Sequence, residues 1–398
     1  MIEPKIRFKG FEGEWKTSTI GEIAPLSGGY AFQSNHFSSV GIPIVRISNI
    51  LETGIVGGVF AKYATFDGDA DFRLYDGDAV IAMSGATTGK VAIVHTQGFL
   101  YQNQRVGKFT KTDRVIYDFL TTIVKSHKFR ADLSCLLTSS AQPNASSKDI
   151  DSITQSIPLD KDEQQAIGKY FTSLDSQISA TTSRLASLKQ MKAASLQAMF
   201  PQEGETVPKI RFKGFEEEWK KVKFKDFGHV AMCKRIFKNQ TTSEGDVPFY
   251  KIGTFGSEPD SYISQSLFEE YKKKYSFPNK GDILISAAGT IGRTVEYNGE
   301  NCYYQDSNIV WLDHNNNITN GFLKQLYSIV KWSSLEGATI KRLYNSNILE
   351  TTFYIPNINE QQAIASYFTS LDRQISLQSQ RLEKLKQIKS ACLDKMFV

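Results

Sequence analysis

Residues 163–179 read EQQAIGKYFTSLDSQIS, and residues 360–376 read EQQAIASYFTSLDRQIS, so the two stretches match at 14 of 17 positions. Their apolar residues recur in steps of four and three, a period of about 3.5 that is typical of a long helix packed along one side. No proline or glycine interrupts the chain between Lys169 and Phe200. We therefore predict a helix of roughly 35 residues in each copy, about 50 Å long at 1.5 Å per residue.

The predicted packing seam of these helices is interrupted by a polar residue in each copy, Thr181 and Gln378. Polar seam residues tend to fix the register of paired helices at some cost in stability. The simplest role for such helices is structural, because a helical hairpin can hold two domains without any further function. The predicted seam residues are Ile167, Phe171, Leu174, Ile178, Leu185, Leu188, Ile364, Phe368, Leu371, Ile375, Leu382 and Leu385.

A second repeated stretch lies nearer the start of each copy. Residues 4–16 read PKIRFKGFEGEWK and residues 208–220 read PKIRFKGFEEEWK, which agree at 12 of 13 positions. Repeats at both ends of a segment of about 200 residues indicate that the chain contains two copies of one unit.

Between the repeated ends, the two copies share only a skeleton. The Gly-Asp turn at Gly77 matches one at Gly281, and we align the polar stretch that begins at Gln102 with the one that begins at Gln305. Matching glycines and apolar positions indicate one fold, whereas the changed polar residues indicate that each copy recognises something different. A duplicated frame with two different surfaces also disfavours a single catalytic centre.

The composition is that of an ordinary globular protein. The chain has 398 residues with 47 Lys and Arg against 42 Asp and Glu, and the net charge of +5 allows a polyanionic partner without requiring one. Its four cysteines form no C-x-x-C pair and no H-x-x-x-H occurs, which argues against disulfides and a local zinc site. The N-terminus lacks an apolar targeting segment, and no apolar run approaches the ~18 residues of a spanning helix. We expect a cytosolic, reduced protein that does not bind membranes.

The predicted fold class is α+β, with an internal repeat related by a pseudo-two-fold axis. Antiparallel pairing of the two long helices as a coiled coil would separate two mixed α/β domains. Short β-type runs are predicted at 43–47, 79–83 and 91–94, and short helices at 117–124 and 323–330. The predicted boundaries are 1–155 for the first domain, 156–204 for a central helical spacer, 205–354 for the second domain and 355–398 for a C-terminal spacer.

The combination of these features resembles one known family. It consists of the E-Q-Q-A-I helix starts that follow Ile-Pro at 157–158 and 355–356, the stretch GDAVIAMSGATTGK at 77–90, and the tandem duplication. Together they resemble the DNA-specificity subunit of type I restriction-modification systems over essentially the whole chain. The resemblance implies that residues 1–155 and 205–354 are target recognition domains, each reading one half of a split, asymmetric site on double-stranded DNA.

The resemblance also implies a chain without catalytic activity or a cofactor of its own. In that family the subunit recruits two methyltransferase subunits, which use S-adenosylmethionine to methylate adenine, and motor and restriction subunits that use ATP and Mg²⁺. Several unread base pairs are expected between the half-sites, because a DNA groove returns to the same face only every 34–36 Å or so. The expected role is cytoplasmic defence against foreign DNA.

The residues that read bases are predicted from side-chain chemistry, because Gln and Asn pair with adenine while Arg and Lys pair with guanine in the major groove. Each candidate is alternatively a turn residue or a phosphate contact, since roughly half or more of protein–DNA hydrogen bonds go to the backbone. Two of them, Lys90 and Arg293, follow matching glycine-rich turns and are predicted to contact phosphates. The full set is Arg46, Asn49, Lys90, Gln102, Asn103, Gln104, Arg105, Gln142 and Asn144 in the first domain, and Lys251, Arg293, Gln305, Asp306, Asn308, Lys341 and Arg342 in the second.

Three other functions compete with DNA recognition. A phosphate-binding loop is disfavoured at residues 85–90, because Val91 follows the lysine where Ser or Thr is required. Asp260, Glu270 and Lys272 fit a loose P-D…E-x-K pattern of Mg²⁺-dependent nucleases, although the first copy lacks it. The third alternative is a coiled-coil scaffold that binds only protein and has no DNA specificity.

Overall fold

The computed structural model describes residues 3–137, 144–333 and 342–397. The chain divides into two compact units, the first containing residues 1–182 and 380–398 and the second containing residues 183–379. The predicted helical spacers, 156–204 and 355–398, each include residues of both units.

In its described residues, the first unit contains three small sheets and several helices. The sheet orders are β2-β9-β6-β7, β4-β3-β8-β5 and β1-β10. The strands are β1 (Lys16–Thr19), β2 (Leu26–Ser27), β3 (Ile42–Val45), β4 (Ala61–Tyr63), β5 (Arg73–Leu74), β6 (Ala79–Ala82), β7 (Val91–Ile93), β8 (Leu100–Gln102), β9 (Val106–Phe109) and β10 (Thr154–Ile157). The helices are α1 (Ile20–Ile23), α2 (Tyr117–Ile123), α3 (His127–Leu137), α4 (Ser147–Asp151) and the start of the long helix α5 (Lys161–Ala198).

The second unit repeats this plan. Its sheet orders are β12-β18-β15-β16, β14-β13-β17 and β11-β19. The strands are β11 (Lys220–Lys223), β12 (Gly228–Ala231), β13 (Val247–Tyr250), β14 (Tyr262–Ile263), β15 (Ile283–Ser286), β16 (Thr294–Glu296), β17 (Tyr303–Tyr304), β18 (Ile309–His314) and β19 (Thr352–Ile355). The helices are α6 (Gln265–Lys274), α7 (Asn320–Tyr327), α8 (Asn345–Glu350) and the start of the long helix α9 (Ile358–Met396).

The internal strands follow from short apolar runs. Strands β6 and β15 are buried at all four positions, as expected for central strands covered on both faces. The predicted runs at 43–47, 79–83 and 91–94 correspond to β3, β6 and β7, and the predicted helix at 117–124 corresponds to α2. The helix predicted at 323–330 begins three residues earlier, because the Thr319 hydroxyl caps α7 by accepting a hydrogen bond from the Phe322 N–H at 3.3 Å.

The long helices are confirmed, with 38 residues in α5 and 39 in α9. Matching side chains cap their first turns, since Asp160 accepts from the Asp162 N–H at 2.7 Å and Asn357 accepts from the Glu360 N–H at 3.0 Å. Among the described residues, no helix is both long and apolar enough to cross a bilayer.

Within each unit, the beginning of one long helix runs antiparallel to the end of the other. In the first unit the Tyr170 hydroxyl lies 3.5 Å from the Cys392 sulfur, while Asp175, further along α5, pairs with Lys389, further back on α9. The second unit repeats the arrangement at equivalent positions: Tyr367 with Ser195 at 2.9 Å, and Asp372 with Lys192 at 2.6 Å.

The predicted seam is not uniform along the helices. In the first unit, Ile167, Phe171 and Leu174 are buried in the globular core, whereas Ile178 on α5 and Leu382 and Leu385 on α9 are only half-buried. In the second unit, Ile364, Phe368, Leu371 and Leu188 are buried, whereas Leu185 and Ile375 are half-buried. The seam residues near the start of each long helix therefore pack into the globular core of a unit. The polar break at Thr181 is satisfied within its own helix, because the hydroxyl donates to the Gln177 carbonyl at 2.6 Å.

The end of a long helix closes the core of each unit. Phe397 packs against Phe119, Phe171 and Trp15 with ring centroids 5.9, 6.0 and 6.3 Å apart. In the second unit Phe200 occupies the equivalent place. Each core thus contains residues from both copies of the repeat.

The other repeated stretch forms an arm that is fixed to the start of a long helix. Arg7 binds Glu163 through two parallel hydrogen bonds of 2.7 Å, and Arg211 binds Glu360 through bonds of 2.6 and 2.7 Å. Both carboxylates are almost fully buried, and the hydrogen bond to Glu360 raises the pKa of Arg211 above its usual value. In each unit, one bidentate ion pair therefore joins the arm to the repeated stretch that starts the long helix.

Candidate nucleic-acid interface

Each unit carries a polar loop between two strands at one end of its sheets. We call residues 103–105, between β8 and β9, the first strand loop, and residues 305–308, between β17 and β18, the second strand loop. Backbone hydrogen bonds fix the first loop, since the Asn103 N–H donates to the Val45 carbonyl at 3.1 Å. Its next two side chains, Gln104 and Arg105, are exposed. The loop thus presents an amide and a guanidinium from a rigid base.

The first strand loop borders a cleft of about 280 Å³. Asn144 is held at this cleft because the next residue, Ala145, donates its N–H to the Met83 carbonyl at 2.9 Å. The structure therefore brings Gln104, Arg105 and Asn144 together, although Arg105 and Asn144 are 39 positions apart in the sequence. The cleft is lined by Met83, Ser84, Gln104, Arg105, Asn144 and Ala145.

The second unit uses the same backbone frame with different side chains. The Leu343 N–H donates to the Ala287 carbonyl at 2.8 Å, so Arg342 occupies the place that Asn144 has in the first unit. The Ala287 N–H donates to the Asn308 carbonyl at 2.7 Å, which makes Asn308 the counterpart of Arg105. The amide of Asn144 is thus replaced by a guanidinium in the second unit, and the guanidinium of Arg105 is replaced by an amide.

The strand pairing corrects our alignment of the polar stretches by one residue. The Asn103 N–H bonds to the Val45 carbonyl, and the Gln305 N–H bonds to the equivalent Tyr250 carbonyl at 2.9 Å. Gln305 is therefore the counterpart of Asn103, not of Gln102. The second strand loop is also one residue longer, a difference that sequence alignment alone did not place.

Two predicted base-reading side chains lie inside the first unit. Asn49 is 1% exposed, and its amide bonds the Gly57 and Val59 carbonyls and the Arg46 N–H at 3.0–3.1 Å. Gln102 is fully buried and donates to the Ser27 and Val106 carbonyls at 2.8 and 2.7 Å. These amides hold loops together, so we remove both residues from the candidate set.

The remaining candidates of the first unit lie at the surface or close to it. Arg46 is half-buried, with its guanidinium 5.9 Å from the Phe37 ring. Lys90 pairs with Glu52, and Asn103 is half-buried, with its side-chain oxygen accepting from the Arg105 N–H at 3.3 Å. The predicted contacts at Gln142 and Lys341 lie outside the described residues.

In the second unit most candidates already have partners. Lys251 pairs with Asp260 at 2.8 Å, and this hydrogen bond lowers the pKa of the Asp260 carboxyl. The Gln305 side chain accepts from the Ile252 N–H at 2.9 Å, and Asp306 pairs with Arg235 at 2.8 Å. Arg293 is exposed, with one terminal nitrogen 3.5 Å from the Gly256 carbonyl.

Arg235 is a candidate that our sequence reading missed. Its side chain is 61% exposed, and it follows β12 in the basic run KRIFK at 234–238. That run was a usable signal, because a cluster of Lys and Arg in a strand connection is typical of a surface that faces phosphates.

Gly29, the second of two adjacent glycines that follow β2, has a packing role. A Cβ atom on Gly29 would lie 2.3 Å from the carbonyl oxygens of Gln102 and Asn103, whereas nothing lies within 4 Å of one on Gly28. Gly29 is therefore required by the close approach of its backbone to the first strand loop.

We expect Gly29→Ala to lower the free energy of unfolding by about 1–3 kcal/mol, because the clash is with backbone atoms that have no room to move. Gly28→Ala is the matched control, with an expected change within ~0.5 kcal/mol. Chemical denaturation of both variants checks this prediction, and equal stabilities would contradict it.

The nuclease alternative is not supported by the geometry. Asp260 binds Lys251, Glu270 binds Lys274 at 2.9 Å, and the Lys272 ammonium lies about 5 Å from the rings of Phe268 and Phe277. Within the ranges that the structure describes, no group of three or more His, Cys, Asp or Glu side chains is placed to hold a metal ion. The three residues of the pattern thus have separate partners.

The buried thiols also show no sign of reactivity. Burial raises the pKa of Cys233 to about 12 and that of Cys302 to about 11, so both are protonated at neutral pH.

Comparison with known proteins assigns the chain to a family. The family model for the type I restriction modification DNA specificity domain matches residues 12–190 and 216–387. A Haemophilus influenzae protein named as a candidate type I restriction enzyme specificity subunit is 58% identical over 152 residues, which are 38% of this chain and 40% of that protein. The match thus spans less than half the length of this relative.

Two solved structures share the fold at low sequence identity. The S subunit of a type I restriction-modification system from M. genitalium has a TM-score of 0.70 at 16% identity, with 100% of this chain and 99% of that chain covered. A chain from a structure of type I R-M complex assembly and conformational transition has a TM-score of 0.51 at 17% identity, with 97% and 98% covered. Since the family model matches most of the chain in two consecutive segments, the chain belongs to the type I restriction-modification DNA specificity domain family.

Proposed function

We propose that this chain is the DNA-specificity subunit of a type I restriction-modification complex, in which each unit reads one half of a bipartite, asymmetric site. One observation carries the proposal: the two units place different polar side chains at equivalent backbone positions. Asn144 corresponds to Arg342 and Arg105 to Asn308. Amides and guanidiniums prefer adenine and guanine respectively, so this exchange is what two different half-sites require.

The proposed reading surface of the first unit is the cleft around Gln104, Arg105 and Asn144, and that of the second is the loop around Asn308 and Arg342. Arg46, Lys90, Lys251 and Arg293 are proposed as phosphate contacts beside these surfaces, because their cationic groups lie at or near the surface. Phosphate contacts would position the chain on the duplex without specifying sequence.

We further propose that the repeated arms bind two copies of one methyltransferase subunit. The arms match in sequence, and each exposes an isoleucine at the same position, Ile6 at 44% and Ile210 at 60%. Exposed apolar side chains that are kept in both copies, beside domains whose polar surfaces have diverged, favour one partner bound twice.

In this proposal the chain itself is not catalytic. S-adenosylmethionine, ATP and Mg²⁺ would bind to the methyltransferase, motor and restriction subunits, and the complex would act on DNA in the cytoplasm. The chain would supply only sequence discrimination and assembly.

The test is adenine-methylation mapping of genomic DNA from a host that carries this chain and its cognate methyltransferase, compared with the same host without this chain. We expect a split, asymmetric motif that is methylated only when the chain is present. Absence of any chain-dependent motif, together with no binding of the purified complex to DNA, would favour the protein-scaffold alternative.

A further inference from the structure

The second strand loop contains a strained turn that the first loop lacks. The Asn308 N–H donates to the Asp306 carbonyl at 2.6 Å, closing a three-residue turn around Ser307. Ser307 has a φ of 61°, and it is the only non-glycine residue with positive φ among the described residues. A turn of this geometry is rare and costs free energy, so it persists only where the surrounding structure holds it.

The extra residue of the second loop lies at Asp306–Ser307, where the first loop has Gln104 alone. In the first unit two residues lie between Asn103 and Val106, whose N–H bonds the Asn103 carbonyl at 2.9 Å. In the second unit three residues lie between Gln305 and Ile309, which are joined by the equivalent bond at 3.2 Å. The insertion therefore changes where the side chains of the loop point without changing its base.

The strained turn places a carboxylate against an exposed arginine. One Asp306 oxygen accepts from Arg235 Nε at 2.8 Å and from the Ser307 hydroxyl at 3.1 Å. The Asp306 side chain is 15% exposed, whereas that of Arg235 is 61% exposed. Arg342 supports the turn from the other side by donating to the Ser307 carbonyl at 3.2 Å.

This geometry leaves the two terminal nitrogens of the Arg235 guanidinium available to a ligand. Asp306 binds the Nε edge of Arg235, and the terminal nitrogens of Arg235 have no hydrogen-bond partner among the described residues. Two terminal N–H groups in one plane match the O6 and N7 acceptors of guanine, and a fixed guanidinium loses less conformational entropy when it binds them. A loose surface arginine would contact phosphates instead.

We propose that Arg235 reads a guanine in the half-site of the second unit, and that Asp306, held by the Ser307 turn, is its positioning residue. The inference rests on the proposed DNA-reading function and adds a residue and a base to it. The first strand loop has Gln104 and Arg105 where the second has Asp306, Ser307 and Asn308, so it contains no carboxylate to position an arginine in this way.

The experiment measures methyl transfer by the complex of the full chain with its cognate methyltransferase. Duplexes carry the mapped motif, with each base pair of both half-sites replaced in turn by the other three. The variants are Arg235→Ala, Arg235→Lys and Asp306→Asn. Lys274→Ala is the control, since Lys274 and Glu270 form an exposed ion pair in the same unit that includes no residue of the second strand loop, at a similar distance of 2.9 Å.

We expect the wild-type complex to discriminate by roughly 10- to 100-fold against replacement of one guanine, the range of a good bidentate contact. Arg235→Ala should abolish that discrimination at that position alone, and Arg235→Lys and Asp306→Asn should weaken it at the same position. Replacing that guanine by 7-deazaguanine, which lacks N7, should slow the wild-type complex and leave the Arg235→Ala complex unaffected. Lys274→Ala should keep the wild-type preference at every position.

Two results would overturn the inference while leaving the proposed function intact. One is unchanged discrimination at every guanine in Arg235→Ala, and the other is an equal slowing of all duplexes, which would make Arg235 a phosphate contact. If Arg235→Ala fails to assemble with the methyltransferase, Arg235→Lys decides by the same measurement. A wild-type complex that methylates no split motif would instead overturn the proposed function together with the inference.

Discussion

Replacing Phe200 with alanine is expected to lower the free energy of unfolding of the second unit by about 3–5 kcal/mol. The ring is 2% exposed, and its centroid lies 5.4, 5.8 and 6.4 Å from those of Phe322, Trp219 and Phe368. Truncation removes most of this aromatic packing. It also leaves a cavity in the core of the second unit that the surrounding residues cannot close. The equivalent substitution, Phe397→Ala, is expected to destabilise the first unit by a similar amount, because its neighbours are the equivalent rings.

Met191→Ala is the matched control for Phe200→Ala, since Met191 lies on α5, the long helix that ends just before Phe200, and is 51% exposed. We expect it to change stability by less than ~0.5 kcal/mol. Chemical denaturation followed by tryptophan fluorescence includes a signal from the second core, because Trp219 contacts the Phe200 ring. A Phe200→Ala protein as stable as Met191→Ala would show that the helix end does not close the core.

The architecture could be predicted because the sequence contains two copies of one unit. The apolar period from Ile167 to Leu188 and the near-identical arms gave the long helices and the two-unit plan without any tertiary information. What the period could not show is that Phe171 and Leu174 pack into the globular core, since a helical stripe looks the same whether it faces a helix or a sheet.

The candidate site was less predictable, because an amide has the same chemistry inside a domain as on its surface. Asn49 and Gln102 were chosen as base readers, but their partners are carbonyls of Gly57, Ser27 and other residues that the sequence does not place beside them. Side-chain identity alone does not distinguish the two roles.

Arg235 was missed for the opposite reason. Its significance depends on a carboxylate 71 residues away, and on the position of that carboxylate in a loop with one inserted residue. An insertion of one residue is easily misplaced in an alignment of two divergent copies, as our pairing of Gln102 with Gln305 shows. Recognition loops are where two copies of one fold are expected to differ, so they are also where sequence comparison is weakest.

The buried ion pair of the second arm gives the other large expected effect. Glu360→Ala should lower the free energy of unfolding by about 3–5 kcal/mol, because it leaves the mostly buried Arg211 guanidinium without its carboxylate partner, and the Glu217 carbonyl that it still binds does not neutralise its charge. The side chains of Glu360 and Arg211 are 1% and 14% exposed. Glu270→Ala breaks an exposed pair with Lys274 and should cost less than ~1 kcal/mol.

A double-mutant cycle measures the interaction between Arg211 and Glu360 separately from the effect of replacing each side chain. Arg211→Met together with Glu360→Ala should be less destabilising than Glu360→Ala alone, since the uncompensated charge is then gone. Additive losses in the cycle would mean that the two side chains act independently. The same variants test the proposed partner surface: Arg211 lies next to the exposed Ile210, so loss of the pair should free the arm and weaken capture of the methyltransferase. Arg211→Met with Glu360→Ala would then restore stability in part without restoring capture, because the arm would still lack its bidentate attachment.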